Sequence, residues 1–275
     1  MMKKSIYIFI IMLFGAVIVS AQPSVVEITY KTTDATQLKM KIYYPADYKK
    51  GAKYPAIIFF FGGGWAEGTM DQFKNQALFF ASKGMIAITP DYRVKSRQGT
   101  TPFESVKDGR SAIRYLRGHS AALGIDPDKI AAAGGSAGGH IAAAADLTQI
   151  DEATDDLHIN ARPDLLALFN PVLNNGPGNY GYDLFKDRFR EISPFHNIKK
   201  GAAPAIIFLG TRDKLVPVAI AKQYQQKMQE VGSRCDLLLY EGQGHGFFNY
   251  NRGSKYYNET LEQLTRFLKE FGYIK

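Results

Sequence analysis

Leu38, Met40, Ile42 and Tyr44 alternate with Lys39, Lys41 and Tyr43, the period-two pattern of a strand with one covered face. It predicts an amino-terminal hairpin with residues 25–30. Further along the chain the apolar runs become short, continuous and β-rich, at residues 56–61, 85–89, 130–133, 165–169, 205–209 and 237–240. Strands buried on both faces have this character. Helix-spaced segments lie between them: Phe103, Val106, Ile113 and Leu116, and then Val218, Ala221, Tyr224, Met228 and Val231. The second of these stops at Gly232, which tolerates the left-handed conformation common there, and Pro217 suits its first turn. Tyr257, Leu261, Leu264, Leu268 and Phe271 predict an amphipathic carboxy-terminal helix. Strands alternating with helices imply an α/β fold with a mostly parallel central sheet covered by helices on both faces.

Residues 173–200 break the alternation. The stretch NNGPGNYGYDLFKDRF is rich in Gly, Pro and Asn at its start and predicts a short aromatic-basic helix after it. A long irregular insertion of this kind is often a functional loop, here expected as a small cap.

The amino terminus has its own pattern. Lys3 and Lys4 precede an apolar run over residues 6–19, followed by the small-residue pattern Val19-Ser20-Ala21. This predicts a secretory signal peptide over residues 1–21, an exported protein, periplasmic or secreted, and a single domain over residues 22–275. The run is shorter than the roughly 20 residues a spanning helix needs, so no integral membrane segment is expected after cleavage.

Composition adds limits. The chain has 275 residues, 45% of them hydrophobic, which is ordinary for a globular protein. Its formal charge of +8 is spread along the sequence without a block or stripe, which reads as a solvated basic surface and not a nucleic-acid footprint. Cys235 is the only cysteine, so no intramolecular disulfide can form. His and Cys are too sparse for a transition-metal site, and no cofactor motif is present.

The candidate chemistry begins at AAAGGSAGGHIAAAA, residues 131–145. Gly134-Gly135-Ser136-Ala137-Gly138 satisfies G-x-S-x-G between a predicted strand and a predicted helix. Such a turn strains the serine and brings helix and strand backbones together, so glycine two positions either side relieves a clash. It also sets the serine at a helix amino terminus, where free N–H groups favour developing negative charge, the N–H of Ala137 among them. Gly62-Gly63-Gly64-Trp65 directly follows the strand at 56–61, and the N–H groups of Gly63 and Gly64 are candidate donors to an oxyanion. No Lys-Ser/Thr follows the glycines, so a phosphate-binding loop is disfavoured.

A serine hydroxyl needs a base, and the base an orienting carboxylate. Of five histidines, His245 lies in a glycine-flanked loop after the last predicted strand, in reach of the serine. His140 opens the helix after Ser136 and is expected along its surface. His119, His158 and His196 are expected in surface or hydrogen-bonded packing roles. Asp213 follows the strand at 205–209, at the sheet edge where α/β proteins gather ligands, although it could equally be a turn aspartate ahead of Pro217. Asp183, Asp187 and Glu241 are rivals without that placement. The order serine, aspartate, histidine is that of the nucleophile-elbow hydrolases.

On Gly62–Trp65, GGSAGGH at 134–140, GTRDKLVP at 210–217 and GQGHGF at 242–247, the chain resembles the α/β-hydrolases. Within them it is similar to the esterase/lipase group with an H-G-G-G-W oxyanion loop, including acetyl esterases and bifunctional feruloyl/acetyl esterases. The resemblance implies the α/β-hydrolase fold, a catalytic set of Ser136, Asp213 and His245, and serine-ester chemistry on a small-molecule or polysaccharide ester such as acetylated xylan. Trp65, Tyr180 and Tyr182 are candidate substrate contacts, with Tyr180, Tyr182 and Phe185 able to stack on sugar rings or to form the core of a cap. Phe61 stands where the group has histidine before the glycines, so packing must replace that histidine's hydrogen bonds in fixing the loop. The same fold also hosts exopeptidases and non-catalytic binding proteins.

Overall fold

Eight strands form one sheet in the computed structural model, which describes residues 23–33 and 36–275. The apolar segment and cleavage pattern at the amino terminus lie outside the described residues. The strands are β1 (Ser24–Thr33), β2 (Thr36–Tyr44), β3 (Tyr54–Phe60), β4 (Ile86–Pro90), β5 (Ile125–Gly135), β6 (Leu165–Phe169), β7 (Ala205–Gly210) and β8 (Cys235–Tyr240). Their order is β1-β2-β4-β3-β5-β6-β7-β8. β1–β2 and β2–β4 pair antiparallel, and every other pair is parallel.

The continuous apolar strands serve two cores at once. Ile58 and Phe60 of β3 enter the layer shared with helices Pro102–Gly118, Ala137–Leu147 and Val218–Glu230. Ile57 and Phe59, pointing the other way, meet helices Lys74–Ser82 and Ser254–Glu270. The alternation of side chains across a strand makes both layers possible. A capping box between Thr101 and Glu104 starts the Pro102–Gly118 helix, satisfying amide donors that its first turn leaves free.

A charged network ties the hairpin to this frame. Lys31 on β1 contacts Asp108 at 2.6 Å and Glu152 at 3.0 Å, and Arg93 contacts both carboxylates at 2.7 Å. Burial opposes ionisation of Glu152, but Lys31 and Arg93 more than offset this and hold its carboxyl at about 2.

Three local expectations are corrected. Pro217 is not in the first turn of its helix: its ψ of 136° is extended and the helix starts at Val218. The insertion is not one short helix but a series of single turns, Tyr182–Phe185, Phe189–Ile192 and 3-10 turns beside them, because no stretch of it has enough helix-spaced apolar residues to sustain a longer one. β5 begins at Ile125, where pairing with Tyr54 extends the sheet past the polar Asp126–Lys129 stretch. Among the described residues, no helix is long and apolar enough to cross a membrane.

Candidate active site

β5 runs in parallel between β3 and β6 and delivers Ser136 to the carboxyl edge of the sheet. Ser136 has φ 54° and ψ −116°, a backbone conformation that side chains rarely adopt. Three bonds hold it there: its N–H donates to Phe169 O at 2.9 Å, and its carbonyl accepts from His140 N at 3.0 Å and Val172 N at 3.2 Å. The glycines two positions away are required by close approach. A Cβ on Gly134 would stand 2.4 Å from Gly138 C, and one on Gly138 would stand 2.1 Å from Phe60 O.

Asp213 and His245 come from the loops after β7 and β8. His245 Nδ1 donates to Asp213 Oδ2 at 2.7 Å, and the Asp213 side chain is fully buried. Its other oxygen, Oδ1, accepts from Leu215 N at 2.8 Å and Val216 N at 3.0 Å. Burial disfavours the carboxylate, but the hydrogen bonds from His245 and from the Val216 and Leu215 amides outweigh it and lower its pKa. Asp213 is therefore ionised at neutral pH, and it accepts a proton-bearing Nδ1, leaving His245 Nε2 as the lone-pair nitrogen. Among the described residues the Ser136 hydroxyl makes no hydrogen bond.

Asn170, which sequence reasoning missed, joins these loops. It follows β6 with φ 44° and is fully buried. Its Nδ2 donates to Asp213 Oδ2 at 2.7 Å and its Oδ1 accepts from Gly246 N at 3.4 Å. The available signal was its place directly after an apolar strand at the carboxyl edge, with a residue type that tolerates positive φ.

Over the elbow lies the glycine loop. A Cβ on Gly62 would meet Ser136 Cβ at 3.4 Å. Gly62 donates its N–H to Gln72 Oε1 at 2.6 Å, whereas the N–H groups of Gly63 and Gly64 donate to no protein acceptor among the described residues. Both have positive φ, 127° and 63°, a conformation that suits glycine. Ala137 opens the helix after Ser136, so its N–H has no intrahelical acceptor. Phe61 is fixed by packing: it stacks on Tyr92 with centroids 3.9 Å apart, and the Tyr92 hydroxyl donates to Phe61 O at 2.7 Å.

The other candidates separate. Trp65, expected as a substrate contact, is only 1% exposed, beneath His140, Tyr180 and Phe185. It is a packed wall rather than an open surface. Tyr180 is exposed, its hydroxyl 3.0 Å from the position of a Cβ on Gly64. Tyr182 packs edge-on to Phe189, and Phe185 is cap core. His140 is not on the helix surface as expected. It is fully buried, its Nε2 donates to Ile192 O at 3.1 Å, and burial pushes its pKa down to about 3. His119 stacks on Tyr115, His158 is exposed, and His196 bonds Ser193. Asp183, Asp187 and Glu241 are exposed. Among the described residues, no group of three or more His, Cys, Asp or Glu could hold a metal ion. A cavity of about 1000 Å³ lies at the opposite edge of the sheet, lined by Tyr54, Lys129 and Lys269 among others and by none of these groups.

Comparison with known proteins shows the family and agrees with the fold. The BD-FAE family model matches residues 40–165, and that of the dienelactone hydrolase family matches residues 168–272. The solved structure of a thermophilic esterase from Thermogutta terrifontis with propionate bound is 40% identical, with a TM-score of 0.85, over 93% of this chain and 96% of that one. Among curated proteins, esterase LipC of Mycobacterium tuberculosis is 28% identical over 70% of this chain and 53% of its own length. An acetylxylan esterase of Xylanibacter ruminicola is 27% identical over 78% of this chain and 45% of its own length. The chain spans about half the length of the curated relatives it matches.

Proposed function

The chain belongs to the α/β-hydrolase esterases, and from that premise we propose that it is an exported serine esterase that removes short acyl groups from carbohydrate esters such as acetylated xylan. The observation that carries this reading is the 2.7 Å bond between His245 Nδ1 and buried Asp213 at the same sheet edge as a serine held at positive φ. In the proposed reaction, His245 Nε2 takes the Ser136 proton as Oγ bonds to the acyl carbon. The tetrahedral oxyanion accepts hydrogen bonds from the N–H groups of Gly63, Gly64 and Ala137. The alcohol then leaves with the proton from His245, giving acyl-Ser136. Water, deprotonated by the same nitrogen, attacks the acyl carbon, and the carboxylic acid leaves as Oγ regains its proton. Asp213 stays ionised throughout and steadies the imidazolium. Each oxyanion donor of this kind is worth about 10²–10³ in rate.

Short acyl groups are favoured because Tyr180 stands beside Gly64 over the packed Trp65 wall. Propionate in the thermophilic esterase structure and the acetylxylan esterase among the relatives support the acyl length and the carbohydrate alcohol. Export rests on the amino-terminal pattern and predicts a mature chain starting at Gln22, readable by mass spectrometry.

The test is hydrolysis of p-nitrophenyl acetate, butyrate and octanoate, with acetate release from acetylated xylan, by the wild type and Ser136→Ala. Activity on acetate and xylan that vanishes in the variant supports the proposal. Activity confined to long esters, or retained by Ser136→Ala, overturns it.

A further inference from the structure

Two loops separated by 177 positions in sequence are joined by side-chain amides. Gly62 N donates to Gln72 Oε1 at 2.6 Å, Gln72 Nε2 donates to Asn249 Oδ1 at 3.0 Å, and Asn249 Nδ2 donates to Gly246 O at 2.9 Å. Chemistry at the two ends fixes the direction of this chain. Gly62 N–H can only donate and Gly246 C=O can only accept, so each amide between them has one orientation that leaves no donor facing a donor. An apolar contact runs alongside: Phe73 and Phe248, the residues next to Gln72 and Asn249, stack with centroids 5.7 Å apart and planes 16° from parallel.

The ends of the chain lie at the chemistry. Gly62 directly precedes Gly63 and Gly64, and Gly246 directly follows His245. Gly246 is gripped on both sides, its carbonyl by Asn249 and its N–H by Asn170. Donor placement and imidazole placement must agree, since a misplacement of about 1 Å costs roughly 10²-fold in rate.

We propose that Gln72 and Asn249 are positioning residues that lock the oxyanion loop to the His245 loop, holding donors and base in one fixed relation. This rests on the esterase reading above. The bond chain makes carboxylates the sharpest perturbation, because Gln72→Glu and Asn249→Asp keep shape and size but replace a required donor with an acceptor. When a glutamate at 72 is protonated, its O–H stands in the place of Nε2 and the chain closes again.

The experiment measures kcat and KM on p-nitrophenyl acetate from pH 8 downward for the wild type, Gln72→Glu, Asn249→Asp, the double variant and Ser136→Ala, with melting temperatures alongside. Each single variant is expected to lose about 10- to 100-fold in kcat at nearly unchanged KM and melting temperature. The double variant sets two carboxylates against each other at the 3.0 Å contact, so its loss is expected to depart from the product of the single losses, as for residues in direct contact within one network. The kcat of Gln72→Glu relative to wild type at the same pH should recover as pH falls toward the glutamate range near about 4.3. Single variants with wild-type kcat, or losses that are additive, independent of pH and matched by a lower melting temperature, would overturn the positioning role. Those outcomes leave the esterase reading intact if Ser136→Ala is inactive. An active Ser136→Ala overturns the reading and, with it, the proposal.

Discussion

Replacing Ser136 with glycine should make the protein more stable than replacing it with alanine, although both variants lose the proposed nucleophile. Alanine retains a Cβ at φ 54° and ψ −116°, and a non-glycine residue held in such a region stores about 1–3 kcal/mol of strain. Glycine releases it, while its greater unfolded-state freedom costs about 0.5–1 kcal/mol. Capping does not enter the difference, because the Ser136 side chain makes no cap hydrogen bond to the helix it precedes. The net gain is about 0–2.5 kcal/mol, centred on about 1, which for a chain of this size raises the melting temperature by roughly 2–4 °C at the centre of that range. Calorimetry of the two variants at one scan rate measures it. If Ser136→Gly melts below Ser136→Ala, the elbow stores less strain than the roughly 0.5–1 kcal/mol that glycine costs, and the reasoning is refuted.

Other perturbations test separate parts of the site and frame. Asn170→Asp keeps the residue's shape and its tolerance of positive φ but sets a second carboxylate against Asp213 Oδ2, so kcat should fall at least about 10-fold and fall further at pH 7 than at pH 5. Asp213→Asn presents one amide oxygen where the carboxylate has two. If that oxygen stays with the Leu215 and Val216 amides, the NH₂ faces His245 Nδ1, the imidazole takes the wrong tautomer, and kcat drops by about 10⁴ with little change in fold by circular dichroism. Glu152, held at about 2, has a depressed pKa, so its contribution is complete above its unfolded value of about 4.3 and is lost as pH falls from there through its folded value. Glu152→Gln should therefore lower the melting temperature at pH 7, and its deficit should shrink between pH 4.5 and pH 3, where thermal scans would read it. A deficit that is the same at both ends of that range would refute the linkage.

The strands and the elbow were legible because each is enforced locally. β6 lies where its apolar run predicts, at Leu165–Phe169, since a strand buried on both faces admits no polar position. The glycines flanking Ser136 were legible because a Cβ at Gly134 or Gly138 would overlap backbone, a constraint written in residue size. Asn170, Gln72 and Asn249 carry no such mark. Asn170 bonds Asp213, 43 positions away, and Gln72 bonds Asn249, 177 positions away, and a side-chain amide satisfies many surroundings equally well. His140 was misplaced for a related reason: the insertion that covers it has little periodicity of its own, so the sequence does not reveal that Ile192 and Phe185 close over that helix.

Asp213 shows why opposed readings of one residue can both be right. From sequence, a turn aspartate ahead of Pro217 and a carboxylate orienting His245 compete for the same position. In the structure they occupy different oxygens, Oδ1 on the Leu215 and Val216 amides and Oδ2 on His245 and Asn170. The turn role enables the other one. With Oδ1 tied to two backbone donors and the side chain buried, the carboxylate plane cannot rotate, so Oδ2 is aimed before any proton moves. A freely rotating carboxylate would have to be ordered again at each turnover, and a pre-aimed one would not. In the proposed mechanism the short turn DKLVP between β7 and the following helix therefore serves the chemistry as well as the fold, because its amides aim the carboxylate at His245.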